Sequence, residues 1–405
     1  MKTVLLLLTT LPCNALRTMD ITVATTIADL DTVAALWDEL PVTTPHASRA
    51  LSTLVQQTSP FGAQPYVVHI ERDGRTPILV VARIERRPMR VKAGYRTLMS
   101  LPARWLVVVA GGVIGATTPG DYELVLRTLS LALRKGVADI LELSKVELDG
   151  PLHRAARDHV SWYRRGHGGA VYKCHWSDLS KGWAAFLSAR SKRTRLRLKR
   201  RLTVLDEGTG TGQKMTVHRI GPGDDLDATV HALDAIAVSS YQRGIGVGFV
   251  DDALHRGLLG WTLDGGPYLV WTLSIDERPV AYVSGMLHAR TFYLFGTAFD
   301  QSLADDEPGA VLLARVLEEL AGDADVDRFD YGYGDAQYKV SLSDACDQVL
   351  DVVAFAARAR PLLLNSLGSG TAAAVSTVKR LLGPERVARI KRGRRQHAAA
   401  GGENG

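Results

Sequence analysis

Two stretches of the chain, one in each half, repeat the same pattern of apolar runs and charged turns. "PYVVHIERDGRTPILVVAR" begins at Pro65 and "PYLVWTLSIDERPVAYVSG" begins at Pro267. Both start Pro-Tyr-x-Val, turn at an acidic and basic pair, and have a second proline twelve positions on, at Pro77 and Pro279. Because β-branched and aromatic residues flank a polar turn, each stretch predicts a β-hairpin.

Each predicted hairpin is followed by Pro-Gly and a helical pattern. In "TTPGDYELVLRTLSLALRKGVADILEL" and in "DEPGAVLLARVLEELAGDADVDRFDYG", Leu recurs at helical spacing before a short apolar run. This pattern predicts an amphipathic helix and then a strand. The second hairpin proline precedes the Pro-Gly proline by 42 residues in the first half and by 29 in the second. The shared order predicts two copies of one α/β unit.

A segment rich in cations lies between the copies. In "GWAAFLSARSKRTRLRLKRRLTVLDEG" the cations surround an apolar stripe at helical spacing, made of Trp183, Leu187, Leu198, Leu202 and Leu205. The spacing predicts one amphipathic helix that opens the second copy. A second helix is predicted in "LDATVHALDAIAVSSYQRGIGVGF", which ends in a loop with glycines at Gly244, Gly246 and Gly248.

Length and composition limit the classes of protein to which the chain can belong. The chain has 405 residues, 46% hydrophobic and 23% charged, which is long enough for two or three domains that each bury a core. No apolar run approaches the roughly 18 to 20 residues of a membrane-spanning helix, so we expect a soluble body. "MKTVLLLLTTLPCNA" imitates a short signal peptide, but Met19 opens a stretch typical of a domain start. We interpret residues 1–18 as an extension or a misassigned start, with secretion as the alternative.

Cysteine and histidine usage favours neither a disulfide framework nor a metal centre. Cys13, Cys174 and Cys346 form no CxxC pair and no even set, which is typical of a cytoplasmic protein. "HGGAVYKCH" lacks the spacing of metal ligands and convergent carboxylates. We therefore expect a cytoplasmic protein without a metal.

The formal net charge of +6 conceals two local cationic segments. Arg190 to Arg201 holds eight Lys or Arg and no acid, and Lys379 to Arg395 holds eight more with only Glu385. Without both segments, 33 basic and 42 acidic residues remain, a net charge of −9. Such segments attract polyanions, although a plain solvated face is the alternative. Residues 356–405 are expected to form a loosely held helix and a disordered basic end.

One polar run is far denser than a turn requires. "DYGYGDAQYK", from Asp330 to Lys339, holds three tyrosines, two glycines, three acidic or amide groups and a lysine, whereas a simple turn needs one Gly or Asn. Strand alternation predicts that Tyr331 and Tyr333 share one face, with Asp330 and Gly332 on the other. Glycines at such a place let a ligand approach the backbone.

The second half resembles the CelD/BcsL-type acyltransferases of the GNAT superfamily. The shared order is the cationic "LSARSKRTRLRLKRRL", the glycine loop "SSYQRGIGVGF", the hairpin "ERPVAYVSGMLHARTFYLFGTAFD", the helix start "EPGAVLLARVLEEL" and then "DYGYGDAQYK". That group is related to the FemABX aminoacyltransferases, which are themselves tandem GNAT folds. The resemblance covers most of Met19 to about Phe355, and its most specific part is the polar run.

The resemblance implies an α/β (α+β) fold of tandem GNAT-like domains, each a mixed β-sheet flanked by helices, with a cleft between the halves. It implies a degenerate first domain at residues 19–165, where Lys145 occurs but no tyrosine replaces "DYGYGD", and an acyltransferase domain at residues 175–355. It also implies acetyl-CoA or another acyl-CoA as co-substrate, with a small-molecule, amino-sugar or peptide amine as acceptor. The donor would contact Phe295, Thr297, Ala298, Gly309 and Ala310.

The candidate catalytic residues come from the polar run. Tyr338 is the candidate proton donor to a leaving thiolate, and Lys339 is the candidate group to hold an acyl oxygen or a phosphate. Asp335 is the candidate to orient Lys339 or to accept a proton from an ammonium, with a plain helix cap as the alternative. The candidate substrate-binding residues are Arg193, Arg197, Tyr241, Tyr331 and Tyr333.

One departure from the GNAT pattern keeps two other functions open. "DDEPGAV" has Asp305, Asp306 and Glu307 where the phosphates of coenzyme A would approach. These acids are interpreted as caps of the helix, or as a sign that coenzyme A does not bind. The second function is a transferase that uses aminoacyl-tRNA, which would also explain the cationic helix. The third is a scaffold that keeps the fold without activity.

Overall fold

The computed structural model describes residues 20–93, 96–167, 169–207, 214–240 and 248–369. In the first half the strands are β1 (Ile21–Ala24), β2 (Gln64–Pro65), β3 (Val67–Ile70), β4 (Ile78–Ala93), β5 (Arg96–Ile114) and β6 (Ile140–Glu147). The helices there are α1 (Ile27–Leu30), α2 (Ala34–Glu39), α3 (Arg49–Thr58), α4 (Pro119–Arg134) and α5 (Pro151–His159). Short 3-10 turns occur at Asp31–Val33, Pro45–Ala47 and Trp162–Arg164.

In the second half the strands are β7 (Val171–Asp178), β8 (Met215–Arg219), β9 (Tyr268–Ile275), β10 (Arg278–His288), β11 (Thr291–Phe299), β12 (Arg328–Tyr333) and β13 (Ala345–Phe355). The helices are α6 (Gly182–Ser188), α7 (Lys192–Glu207), α8 (Leu226–Ser239), α9 (Ala253–Leu263), α10 (Pro308–Ala321) and α11 (Gln337–Leu342), with a 3-10 turn at Gln301–Asp306. A helix at residues 359–369, α12, ends the described chain. None of the described helices combines the length and the apolar character that crossing a membrane requires.

The two repeats have the same strand arrangement. In the first, β3 pairs antiparallel with β4, β4 antiparallel with β5, and β5 parallel with β6. In the second, β9, β10, β11 and β12 repeat these three pairings in the same order. A parallel neighbour needs a crossover, which α4 and α10 provide. The predicted hairpins, Pro-Gly helices and two-copy order are confirmed.

The unequal spacing of the two copies comes from the first hairpin. Strands β4 and β5 have 16 and 19 residues, whereas the corresponding β10 and β11 have 11 and 9. The first hairpin therefore extends beyond the length that its repeat partner needs.

The last strand joins the halves into one sheet of 13 strands. Its order is β1-β3-β4-β5-β6-β13-β7-β12-β11-β10-β9-β8, and β2 pairs with β4. Strand β13 pairs antiparallel with β6 on one side and with β7 on the other. The division into residues 19–165 and 175–355 stays a prediction, and most of the tail at 356–405 lies outside the described residues.

Each Pro-Gly helix packs on the sheet of its own repeat. Helix α4 buries Val125 and Leu129 in a core with strand residues of the first repeat. Helix α10 buries Leu312 and Leu317 in a core that includes Phe292 of β11. Because apolar burial contributes roughly 25 cal/mol per Å², these contacts fix each helix, and hence its N-terminus, beside the ends of the central strands.

The predicted single helix across 182–208 is wrong, because the chain breaks between α6 and α7. At the break, Arg190 is only 6% exposed, and its guanidinium donates to the Asp344 carboxylate at 2.6 and 2.9 Å. The same group lies 4.3 Å over the ring of Phe186. A buried cation needs such a partner, and the turn out of helical geometry brings Arg190 to Asp344, directly before β13. Arg190 therefore does not belong to the solvated cationic face that the sequence predicted.

Candidate functional site

A cleft of about 2720 Å³ lies between the two halves. The first half contributes Thr44, His46, Gly111 and Lys145 to its lining. The second half contributes residues of α7, β11, α10, β12 and α11. A cleft between the halves is where the sequence predicted the site.

Strands β11 and β12 separate inside this cleft. Their parallel pairing covers only Thr291 to Tyr293 against Arg328 to Asp330. Beyond it, Phe295 and Thr297 line the cleft, whereas Ala298 is 2% exposed and packs into a core on the other side. The open edge of β11 leaves backbone donors and acceptors for an extended ligand, as the acyl-donor site of the resemblance requires.

A bulge in β12 changes which side chains share a face. Asp330 pairs with Trp176 of β7, but Tyr333 pairs with Cys174, so β12 has one extra residue in between. Gly332 has φ of +69° there, a conformation that glycine adopts at little cost. The bulge turns Tyr333 to the face of Asp330, opposite Tyr331. The predicted common face for Tyr331 and Tyr333 is therefore wrong.

The two tyrosines have different environments. Tyr331 is 1% exposed, and its hydroxyl lies 3.0 Å from Oγ of Ser177. Tyr333 is 39% exposed, and its ring lies 5.3 Å from Nζ of Lys145 in the first half. Burial raises the pKa of both hydroxyls, so each is a neutral hydrogen-bonding group at pH 7.

Lys339 holds the bulge. Its side chain is buried, and Nζ donates to the carbonyl oxygens of Tyr333 at 2.9 Å and Gly332 at 3.3 Å. Burial lowers the pKa of Lys339, opposed by the nearby Asp330 carboxylate. The ammonium thus donates to the backbone of the site, and its predicted role in holding an acyl oxygen or a phosphate stays a prediction.

Asp335 does not orient Lys339. Its carboxylate accepts from Nζ of Lys173 at 2.8 Å and lies 3.6 Å from Nε2 of His175. The hydrogen bond from Lys173 lowers the pKa of Asp335. An exposed carboxylate of low pKa is a weak base, so the pairing with Lys173 makes Asp335 a poor proton acceptor.

Asp330 is a better base, and the sequence analysis did not single it out. It is 8% exposed, lines the cleft, and accepts the Gly332 N–H at 2.7 Å. The Cys174 thiol lies 3.4 Å from both carboxylate oxygens. Burial raises the pKa of Asp330, against the hydrogen bonds from Gly332 and Cys174. A perturbed carboxyl in a cleft is typical of an acid–base catalyst.

Tyr338 lines the cleft at the start of α11. Its ring is partly buried against the core of the second repeat and lies edge-on to Tyr331, with centroids 6.5 Å apart. This position is compatible with the predicted role as a proton donor.

The Pro-Gly helices differ at their N-termini. In α4, the Asp121 carboxylate accepts the N–H groups of Thr117 and Thr118 at 3.0 Å and pairs with Arg72. Burial opposes its ionisation, but these donors keep the pKa of Asp121 well below its usual value. In α10, the corresponding position is Ala310, and no side chain caps the helix.

The acids before α10 therefore do not cap it as the sequence suggested. Glu307 has φ of +50°, and its carboxylate accepts from Arg201 at 2.9 Å instead. Gly309 and Ala310 line the cleft, and the Gly309 N–H has no hydrogen-bond partner among the described residues. A helix N-terminus with an unpaired backbone N–H and no side-chain cap attracts anions.

The cationic helix α7 reaches the cleft. Arg193 and Arg197 are exposed side chains that line it, together with Arg201. Tyr241 lies outside the described residues, so its predicted contact with substrate stays a prediction.

The first half contributes residues to the cleft that no local sequence pattern predicted. The His46 ring stacks on Phe295 with centroids 5.5 Å apart. His46 is an exposed residue, but the packing of its ring against Phe295, then the charges of Arg83 and Lys145, lower the pKa of His46 to about 4. Lys145 pairs with Asp351 of β13 at 2.8 Å. A neutral His and a fixed cation thus face the second-half site.

The sequence and the fold define the class of protein. Residues 190–340 match the family model of the acetyltransferase (GNAT) domain. The chain therefore contains a GNAT domain, and it is an acyltransferase. A search of curated protein sequences finds no match.

Solved structures with a similar fold include FemX, with a TM-score of 0.56 at 11% identity over 82% of this chain and 96% of that chain. A tandem GNAT protein from the clavulanic acid biosynthesis pathway has a TM-score of 0.48 at 12% identity over 84% and 99% of the two chains. L-PGS from Bacillus licheniformis has 0.45 at 13% over 80% and 97%. At such identities the likeness to FemX concerns the fold alone. The predicted fold class, a mixed β-sheet flanked by helices in each half, is confirmed by the strand pairings of the two repeats.

Proposed function

We propose that this protein is an N-acyltransferase of the CelD/BcsL type that transfers an acyl group from acyl-CoA to the amine of a small molecule, amino sugar or peptide in the cytoplasm. The observation that carries the proposal is the contrast between the two Pro-Gly helices. A carboxylate closes the N-terminus of α4, whereas that of α10 has no side-chain cap and opens into the cleft.

The residues around α10 fit a thioester of coenzyme A. The Gly309 N–H and the helix dipole suit a phosphate, and Arg193 and Arg197 add positive charge along the cleft. The open edge of β11 suits the amide groups of a pantetheine arm, which pair with backbone as a strand does.

The reaction forms a C–N bond and breaks a C–S bond. The amine nitrogen attacks the thioester carbonyl carbon, and Asp330 accepts the proton that the nitrogen loses. Backbone N–H groups on the β11 edge stabilise the tetrahedral oxyanion. When the C–S bond breaks, Tyr338 donates its hydroxyl proton to the thiolate and is then reprotonated from solvent, so the products are an amide and free coenzyme A.

A binding experiment tests the donor. Acyl-CoA at about 100 times its dissociation constant should stabilise the folded protein by roughly 2.7 kcal/mol, measured from thermal unfolding. Ala310→Asp places in α10 the group that closes α4, so it should abolish this stabilisation while the fold persists. Ala310→Asn is the matched control without the charge and should keep most of it. Equal stabilisation of the Asp variant by acyl-CoA would contradict the donor site.

A second function, transfer from aminoacyl-tRNA, is favoured by the exposed cations of α7 at the cleft. The same unfolding experiment with tRNA separates the two. Stabilisation by tRNA and not by any coenzyme A ester would favour the second function. Stabilisation by neither would favour a scaffold without activity.

A further inference from the structure

The extended part of the first hairpin, described at residues 86–93 and 96–104, forms a surface that the acyltransferase site does not use. We call it the cationic ribbon. Its sequence, "RRPMRVKAGYRTLMSLPAR", has six Arg or Lys and no Asp or Glu. The second repeat builds the same sheet with shorter strands, so the extension is not needed for the fold.

The outer face of the ribbon carries positive charge without partners. Arg86 and Arg90 are exposed, and no ion pair among the described residues includes either of them. Arg360 of α12 donates to the carbonyl oxygen of Pro102, the strand partner of Pro88. Other arginines of the ribbon are partnered, since Arg87 pairs with Glu142. Free exposed cations at one end of the molecule attract an anionic surface.

Two further elements adjoin the ribbon. Helix α12 packs Leu364 into a small core with Ala103, against which Met89 also packs. Its Asn365 amide donates to the carbonyl oxygen of Tyr163 at 2.9 Å. Helix α12 and the turn at Trp162–Arg164 therefore adjoin the face of the ribbon that carries Met89. Arg86 and Arg90 lie on the opposite face of the ribbon, because successive side chains of a strand point to opposite sides.

These three elements expose large apolar side chains. Five of the fourteen most exposed large hydrophobic residues in the described chain belong to these three elements, namely Leu98 (61%), Met99 (39%), Trp162 (72%), Tyr163 (55%) and Leu363 (61%). Apolar and aromatic groups of this number are uncommon on one part of a soluble surface unless something covers them. Trp and Tyr are enriched where proteins meet the interface of a bilayer.

We infer that the ribbon, together with α12 and the turn beside it, docks onto an anionic lipid membrane. Unpaired arginines suit the phosphates of the headgroups, and Leu98, Met99 and Trp162 suit the acyl boundary beneath them. Membrane binding that lasts needs two such signals together, and the ribbon supplies both. Nucleic acid would use the arginines but leave the aliphatic side chains in water. The cations of Lys379–Arg395 follow α12 in the sequence.

Cosedimentation with vesicles tests this docking. The full chain is mixed with vesicles of phosphatidylglycerol and phosphatidylcholine, or of phosphatidylcholine alone, at low and high salt. It should sediment with the anionic vesicles at low salt, less at high salt, and stay in solution with phosphatidylcholine. Retention in solution with anionic vesicles at low salt would overturn the inference.

Paired variants locate the contact. Arg86→Gln with Arg90→Gln should weaken partition into anionic vesicles on the order of 30-fold, from about fivefold per cation near a membrane. Lys199→Gln with Arg200→Gln removes the same charge from exposed positions of α7 and should change partition little. If both pairs have the same effect, or if the ribbon pair has none, net charge or the tail binds the vesicles and the ribbon does not.

A third comparison separates a membrane from a nucleic acid. Trp162→Ser should weaken vesicle binding at both salt concentrations, whereas Ile27→Ser, at an exposed apolar position elsewhere, should not. Melting temperatures confirm that every variant is folded. Binding of tRNA that depends on Arg86 and Arg90, together with vesicle binding that ignores Trp162, would assign the ribbon to nucleic acid and overturn the inference.

Discussion

Nζ of Lys339 lies 2.9 Å from the carbonyl oxygen of Tyr333 and so fixes the bulge that turns the Tyr333 ring into the cleft. Lys339→Met keeps the length of the side chain and removes its donors. Two part-buried carbonyl oxygens then lose their charged donor, which should lower the free energy of unfolding by about 2 kcal/mol. Denaturant unfolding measures this loss, and kcat should fall because the bulge shifts.

Lys173→Met is the control for this change. Lys173 is an exposed lysine whose partner, Asp335, is also exposed, so its loss should leave the melting temperature almost unchanged. If Lys339→Met has the unfolding free energy of the wild type and changes only KM, then Lys339 binds substrate and does not stabilise the bulge.

Tyr338→Phe removes one hydroxyl and keeps the packing of the ring. If this hydroxyl protonates the leaving thiolate, kcat should fall on the order of 10²- to 10⁴-fold with little change in melting temperature. Release of coenzyme A thiol, followed with a chromogenic disulfide, measures the rate. Wild-type kcat together with a lower melting temperature would make Tyr338 a packing residue.

Asp330→Asn separates activity from stability. Because burial raises the pKa of Asp330 in the folded state, the carboxyl is stabilising below its unfolded pKa, and this stability is lost as pH rises through the folded pKa. The neutral amide of the variant does not ionise, so the variant does not lose this stability as the pH rises. Its melting temperature at pH 7 should therefore be higher than that of the wild type. The rate should fall on the order of 10²- to 10⁴-fold, and the acid limb of kcat/KM against pH should disappear.

A lower melting temperature for Asp330→Asn at pH 7 would show that the ionised carboxylate stabilises the bulge through Lys339. Full activity of Asp330→Asn would show that a group other than Asp330 is the base.

The cations of α7 are tested together. Replacing Arg193, Arg197 and Arg200 with Gln should leave the melting temperature unchanged, because all three are exposed. Any binding of tRNA should weaken, and the slope of log K against log salt should decrease by about 2 to 3. Filter binding over a range of salt measures both. Unchanged binding would make the helix a plain solvated face.

The repeats were predictable because hairpins and amphipathic helices are encoded by local periodicity. The polar run at Asp330 to Lys339 was equally visible, and the structure brings it to the cleft. The extended ribbon also had a signal, since the two copies differ in spacing and the extra residues contain no acid.

The contacts within the site were not predictable, because they join distant positions. Cys174 and Asp330 are 156 positions apart, and Arg190 and Asp344 are 154 apart. The extra residue at Gly332 reversed the face of Tyr333, since a one-residue shift moves every later side chain to the other side. His46 comes from the other repeat, and nothing in its own neighbourhood marks it as part of the cleft.

The insertion of β13 between β6 and β7 governs how the chain is able to fold. While Ala345 to Phe355 is still being synthesised, β6 and β7 each lack the neighbour that this strand supplies. Contacts between such distant segments form late and slowly, and open strand edges invite pairing with other chains. The sheet of the first repeat is thus complete only after the C-terminal strand has been added, and we expect the two halves to fold as one cooperative unit despite their separate cores.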